Sequence, residues 1–348
     1  MYEQVKKAAN AAQQTQQETN AQDHIIETAH AKINLSLDVT GQRADGYHEV
    51  CMIMQSLALC DDIVLERIPA ECMTICDQRM QREGGQQADC ARTLRSPISL
   101  EITDERGQAK GEGASIPCDQ ANLMWRAAML MCETYGIRDG VSMRLLKRIP
   151  AAAGLAGGSA DAAAVLRGMN RLFELGLSDA ALAALGARLG ADIPYCVYGG
   201  TMLAEGIGEV LRALPAAPFF HVLLAKPLRG VSTKEVYQAL DALPAGSVIH
   251  PDTEAALLAL REGNRAALCA ALGNVLERVT IPAVPEIDEI KLFLRPAGAD
   301  GVLMSGSGPT VFGLFRERDA MQKTAQALRE SALSKQLSDV VETEIWQP

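Results

Sequence analysis

Pro150-Ala151-Ala152-Ala153-Gly154-Leu155-Ala156-Gly157-Gly158-Ser159-Ala160-Asp161 is a glycine-containing turn that runs directly into an alanine-rich helix. It restricts the fold because its glycines can take positive φ and let another group approach the main chain closely. Ser159 reads as the N-cap. Ala162, Val165, Leu166, Met169, Leu172 and Phe173 then recur at three- and four-residue steps, which predicts one buried helix face. A helix start offers free N–H groups and a positive dipole end, so the junction is a natural seat for phosphate. Asp161 falls in the first turn beside that seat. No Gly-Lys-Ser/Thr follows and the Gly-x-Gly-x-x-Gly spacing is missing, so this is neither a Walker A loop nor a dinucleotide fingerprint.

Three further stretches carry chemistry-bearing residues. Ala31-Lys32-Ile33-Asn34-Leu35-Ser36-Leu37-Asp38-Val39 alternates strictly and predicts a strand. Ile33, Leu35, Leu37 and Val39 share one face; Lys32 and Asn34 share the other. Next, Arg43-Ala-Asp45-Gly46-Tyr47-His48 places an aromatic and an imidazole beside a tight Asp-Gly turn. Near the other end, Ser305-Gly306-Ser307-Gly308-Pro309-Thr310 is a second glycine turn, set between apolar strands.

Composition bounds the partners. The chain has 348 residues, a length that suggests two domains. Its 33 basic and 43 acidic residues give a net charge of −10, which argues against a nucleic-acid surface. Nine scattered cysteines without an evident secretion signal do not read as a disulfide framework, and Cys72 and Cys76 lack a second ligand pair for a metal. No apolar run reaches spanning length. The expectation is a cytoplasmic protein, no membrane association, no protein-only metal cage, and a monomer or weak homodimer.

Pro-x-x-x-Gly-Leu-x-Gly-Gly-Ser-x-Asp-Ala-Ala resembles the phosphate loop of the GHMP kinases. Ala-Lys-Ile-Asn-Leu resembles that family's first strand, and Ser-Gly-Ser-Gly-Pro-Thr its third motif. The three occur in the family's order from about residue 31 to 315. Arg43 to His48 resembles the branch whose substrate carries a cytidyl diphosphate. The resemblance implies an α+β, two-lobed GHMP kinase fold, with an N-terminal lobe like ribosomal protein S5 domain 2 and a ferredoxin-like C-terminal lobe. Residues 1–24 would be a disordered or weakly helical extension, 25–183 the first lobe and 184–348 the second.

It also implies roles. ATP would lie on main-chain N–H groups of 150–160, with Mg²⁺ bridging phosphates and Ser305 to Gly308 packing against that loop. Asp161 would orient or accept the substrate hydroxyl proton, kept ionised by a pairing with Lys32, which steadies charge on the transferring group. Asn34, Tyr47 and His48 would bind the cytidyl substrate, with Tyr47 stacked on the base and His48 bonded to it. Leu203 stands near where the family resemblance implies a second aromatic; either it clamps the base or Tyr195 or Tyr198 does. Gly190-Ala-Asp192-Ile-Pro194 resembles a further family segment. Another GHMP small-molecule kinase, a related decarboxylase and a non-catalytic nucleotide- or RNA-binding module remain as alternatives.

Overall fold

The computed structural model describes residues 24–71, 97–106, 116–244 and 246–348. The expectation for residues 1–23 lies outside the described residues, as does that of a polar surface excursion over 77–97, save for Pro97.

Two sheets organise the chain. The first has the order β3-β4-β2-β1-β8, from β1 (His24–Gln42), β2 (His48–Ile68), β3 (Ile98–Asp104), β4 (Gly140–Lys147) and β8 (Gly273–Asn274). Val50 to Ile68 was expected to be two strands broken near Cys60-Asp61-Asp62. It lies instead within one strand, because β2 is long enough to serve two partners along one edge. β5 (Thr201–Glu205) pairs with Met52 to Gln55, and β4 pairs with Asp62 to Ile68. β6 (Val210–Ala213) continues from β5. Irregularities in the β1–β2 ladder, one of them between Asn34 and Ser36, break the alternation read from sequence. Ile33 and Leu35 therefore enter one apolar cluster and Leu37 another.

Helices α1 (Leu123–Tyr135), α2 (Gly157–Leu172), α3 (Asp179–Ala187) and α4 (Ile193–Tyr198) cover one face of this sheet. α1 begins at Asn122, whose side chain accepts from the Met124 N–H, where Asp119 was the expected cap. α2 packs on β1 and β2 through the apolar stripe predicted for it; Val165, Leu166 and Met169 are fully buried.

The second sheet is antiparallel, in the order β11-β7-β10-β9, from β7 (His221–Pro227), β9 (Gly301–Met304), β10 (Val311–Phe315) and β11 (Leu337–Glu344). Between β7 and β9 the chain forms α5 (Thr233–Asp241), α6 (Thr253–Arg261), α7 (Arg265–Ala270), α8 (Glu277–Ala283) and α9 (Glu286–Leu294), and α10 (Arg318–Glu330) follows β10. Numbered within this lobe, the strand order is 4-1-3-2, the ferredoxin-like arrangement expected from the resemblance. Ser178, Ser232, Asp252 and Asn264 each accept an N–H at a helix start, a local signal worth about 1 kcal/mol apiece.

The expected boundary after residue 183 falls inside α3, while β5 and β6 extend the first sheet. We propose that the first lobe runs to about Ala213.

Candidate active site

The phosphate-seat stretch leaves β4, turns through 150–156 and enters α2. Ala152 and Ala156 hold left-handed φ values of 47° and 54°, and Gly154 holds 72°. The two alanines carry strain that glycine would not. Gly154 has a second reason to be glycine, since a Cβ there would collide with the Ser305 carbonyl. α2 begins at Gly157 with Ala156 before it, so Ser159 lies inside the first turn and is not the N-cap.

The second glycine turn packs against the first, as expected for Ser305 to Gly308. Ser305 Oγ donates to the Gly154 carbonyl at 2.9 Å. Asn274 Nδ2 donates to the Met304 and Gly306 carbonyls, and Thr233 Oγ1 meets Ser307 Oγ at 2.9 Å. Lys32 sits between the turns. Its backbone N–H donates to the Leu155 carbonyl, and its Nζ lies 3.5 Å from where a Cβ on Gly306 would stand.

The expected Lys32–Asp161 pair is not formed. Lys32 Nζ donates to Asn34 Oδ1 at 2.7 Å. Asp161 Oδ2 accepts instead from Lys147 Nζ at 2.9 Å, and the same ammonium bonds Asp61 Oδ2 at 2.5 Å. Asp161 is 2% exposed, and its Oδ1 is buried with no hydrogen-bond partner. Neither oxygen is open to a substrate hydroxyl. Nor does this carboxyl stay a readily ionised group: burial, with Asp61 beside it, pushes its pKa up to about 8 against the opposing pull of Lys147. Burial acts against the charge on Lys147, but the two carboxylates outweigh it and raise its pKa.

Asp192 precedes α4, is only half-buried, and makes no capping bond to the helix. Its charge bears on the Cys196 thiol, as do Lys32 and Asp161; burial and then Asp192 push that thiol up while Lys32 opposes. Asp192 also acts on Tyr237 of α5, whose hydroxyl is raised to about 12, mainly by burial. Sequence reasoning noted the Gly-Ala-Asp-Ile-Pro segment but gave its aspartate no role.

His48 Nε2 meets Asp241 Oδ1 at 2.7 Å, and its ring lies 4.8 Å from that of Tyr237 at a 43° tilt. Tyr47 is 61% exposed at the turn. Leu203 is not a clamp. It is 3% exposed on β5, opposite Ile53, and packs in the apolar cluster with Ile33 and Phe220. Tyr195 is also committed elsewhere, bonding Ser56 Oγ and the Gly200 carbonyl. Tyr198 packs partly buried between two apolar clusters. Tyr237 and Asp241, one helical turn apart, could have been suspected from the Ser232-capped helix, but nothing local ties that helix to His48.

The GHMP kinases N terminal domain matches residues 122–200, and the GHMP kinases C terminal domain matches 256–333. The 4-diphosphocytidyl-2-C-methyl-D-erythritol kinase of Geobacillus thermodenitrificans is 45% identical over 301 residues, covering 86% of this chain and 91% of the relative. The enzyme of that name from Bacillus subtilis is 44% identical, covering 88% and 93%. A crystal structure of 4-(cytidine 5'-diphospho)-2C-methyl-D-erythritol kinase superposes with a TM-score of 0.68 at 30% identity, covering 93% of this chain and all of that one. A crystal structure of L. major mevalonate kinase in complex with R-mevalonate shares the fold at 16% identity and a TM-score of 0.67, covering 93% of this chain and 96% of that one. With its interlocked glycine turns, its ferredoxin-like second lobe and relatives matched along most of their length, the chain belongs to the GHMP kinase family.

Proposed function

We propose that this chain transfers the γ-phosphoryl group of ATP to the 2-hydroxyl of 4-diphosphocytidyl-2-C-methyl-D-erythritol. The observation that carries the reading is the placement of Lys32 between two interlocked glycine turns, in a chain that brings His48 beside Tyr237 and Asp241 of α5. One end suits a triphosphate and the other a pyrimidine.

The loop 150–160 holds the phosphates through main-chain N–H groups at the α2 start. Mg²⁺ would be carried by the phosphates, with Ser159 the one hydroxyl side chain on the loop. When bound, that ion neutralises phosphate charge. Lys32, oriented by Asn34, stabilises negative charge on the transferring group. Asp192 orients the substrate hydroxyl and accepts its proton, the role the sequence assigned to Asp161. Tyr47 and Tyr237 offer aromatic faces to the base, and His48, oriented by Asp241, reads its edge.

The test is ATP consumption by the purified chain with the cytidyl substrate, mevalonate or homoserine as acceptor. Turnover with the cytidyl substrate alone, and a product phosphorylated at the 2-position by phosphorus NMR, is expected. Turnover with mevalonate or homoserine in its place would overturn the substrate assignment.

A further inference from the structure

Beneath the loop lies a buried cluster that the transfer chemistry does not use. We infer that Lys147, held between Asp61 and Asp161, is a positioning residue that ties the two ends of the 150–160 loop together and so sets it for nucleotide; this rests on reading that loop as the triphosphate seat.

The cluster spans three elements. Asp61 is on β2, and its Oδ1 accepts the N–H groups of Arg148 and Ile149, at 2.5 Å and 2.8 Å. Those two residues lead from β4 into the loop. The other Asp61 oxygen accepts from Lys147 Nζ, and the same ammonium reaches Asp161 Oδ2 just past the first turn of α2, the helix into which the loop runs. Entry and exit are thus joined by one continuous path through β2, β4 and α2. The path also runs directly under the seat, since a Cβ on Gly157 would come within 3.0 Å of Lys147 Nζ.

All three side chains are almost fully buried. A buried ion cluster is weak evidence for stability, because desolvation offsets the Coulombic gain. Geometry is the better account: a loop with two strained alanines and no side-chain cap needs its ends held from outside. Two carboxylates around one ammonium would place a net negative charge beneath bound phosphate. A proton on one of the two carboxyls would remove it. Cys196 of α4 is another titratable group that senses Asp161, alongside Lys147 and Asp61.

Three variants test this: Lys147→Met, Asp161→Ala and Asp161→Asn. Each is checked for folding by circular dichroism, for amide hydrogen exchange over 148–161 without nucleotide, and for affinity for a non-hydrolysable ATP analogue. Lys147→Met is expected to exchange faster over 148–161 and to bind the analogue ~10-fold or more weakly, with KM for the cytidyl substrate changed less than about twofold. Asp161→Asn keeps an acceptor for Lys147 without the surplus charge, and is expected to match the wild type in exchange and analogue affinity. Should Lys147→Met fail to fold, Asp161→Ala leaves a neutral Asp61–Lys147 pair and is expected to loosen 157–161 and weaken the analogue. Wild-type exchange and affinity in whichever of these two variants folds would overturn the inference. A wild-type chain that ignores the analogue would overturn the triphosphate reading, and the accompanying claim that the loop is set for nucleotide, while the exchange data still decide whether Lys147 ties the loop ends.

Discussion

The phosphate end and the base end of the site are built in opposite ways. At the phosphate end, backbone is locked against backbone: Ser305 bonds the Gly154 carbonyl, Lys32 bonds the Leu155 carbonyl, and the Asp61–Lys147–Asp161 cluster is sealed beneath. At the base end, side chains meet across long sequence distances. Tyr47 is exposed, and His48 reaches a helix almost two hundred residues away. The contrast teaches that transfer needs groups fixed before substrate arrives, whereas a stacking platform can close around its ligand.

The strongest challenge to this contrast is to exchange the two aspartates' roles. Asp192→Asn and Lys32→Met should each lower kcat by ~10³-fold or more while the protein stays folded. An Asp161→Asn chain that lost as much as Asp192→Asn would return the proton-accepting role to the sealed end. At the base end the effect should be smaller and of another kind. Tyr237→Ala should raise KM for the cytidyl substrate by roughly 10- to 100-fold, the worth of one stacked base, and leave KM for ATP near the wild-type value. Equal changes in both constants would mean that α5 supports the fold and does not contact the base.

The smallest effect concerns stability. The Asp161 pKa is about 8 in the folded chain and near the ordinary carboxylate value when unfolded, so between those limits the folded state holds more protons. This group therefore stabilises the fold at low pH, and the contribution is lost as pH rises through about 8. Denaturant titrations from pH 5 to 8.5 should show a fall that Asp161→Asn flattens; parallel curves would mean that Asp161 is ionised throughout.

Legibility in the sequence followed the range of the interaction. The stripe of α2, the glycine turns and the ferredoxin-like pattern are set by neighbours three or four residues apart or by motif order. Asp161 misled because only its place near a helix start is visible locally: α2 begins early enough that Asp161 lies past the first turn expected to hold it, and Lys147 and Asp61, which claim it, come from other strands. Leu203 misled for the same reason: its neighbourhood was read correctly, but which sheet face it occupies depends on the pairing with Ile53.

By itself the sequence determined the elements, the two glycine turns and the family they belong to, because positive-φ turns, helix starts and apolar periodicity are local properties of the chain. Tertiary structure alone decided which carboxylate is sealed and which stays half-buried, and which aromatic stands by His48. Burial and pairing are properties of packed surfaces, and no spacing along the chain encodes how much water a carboxylate keeps.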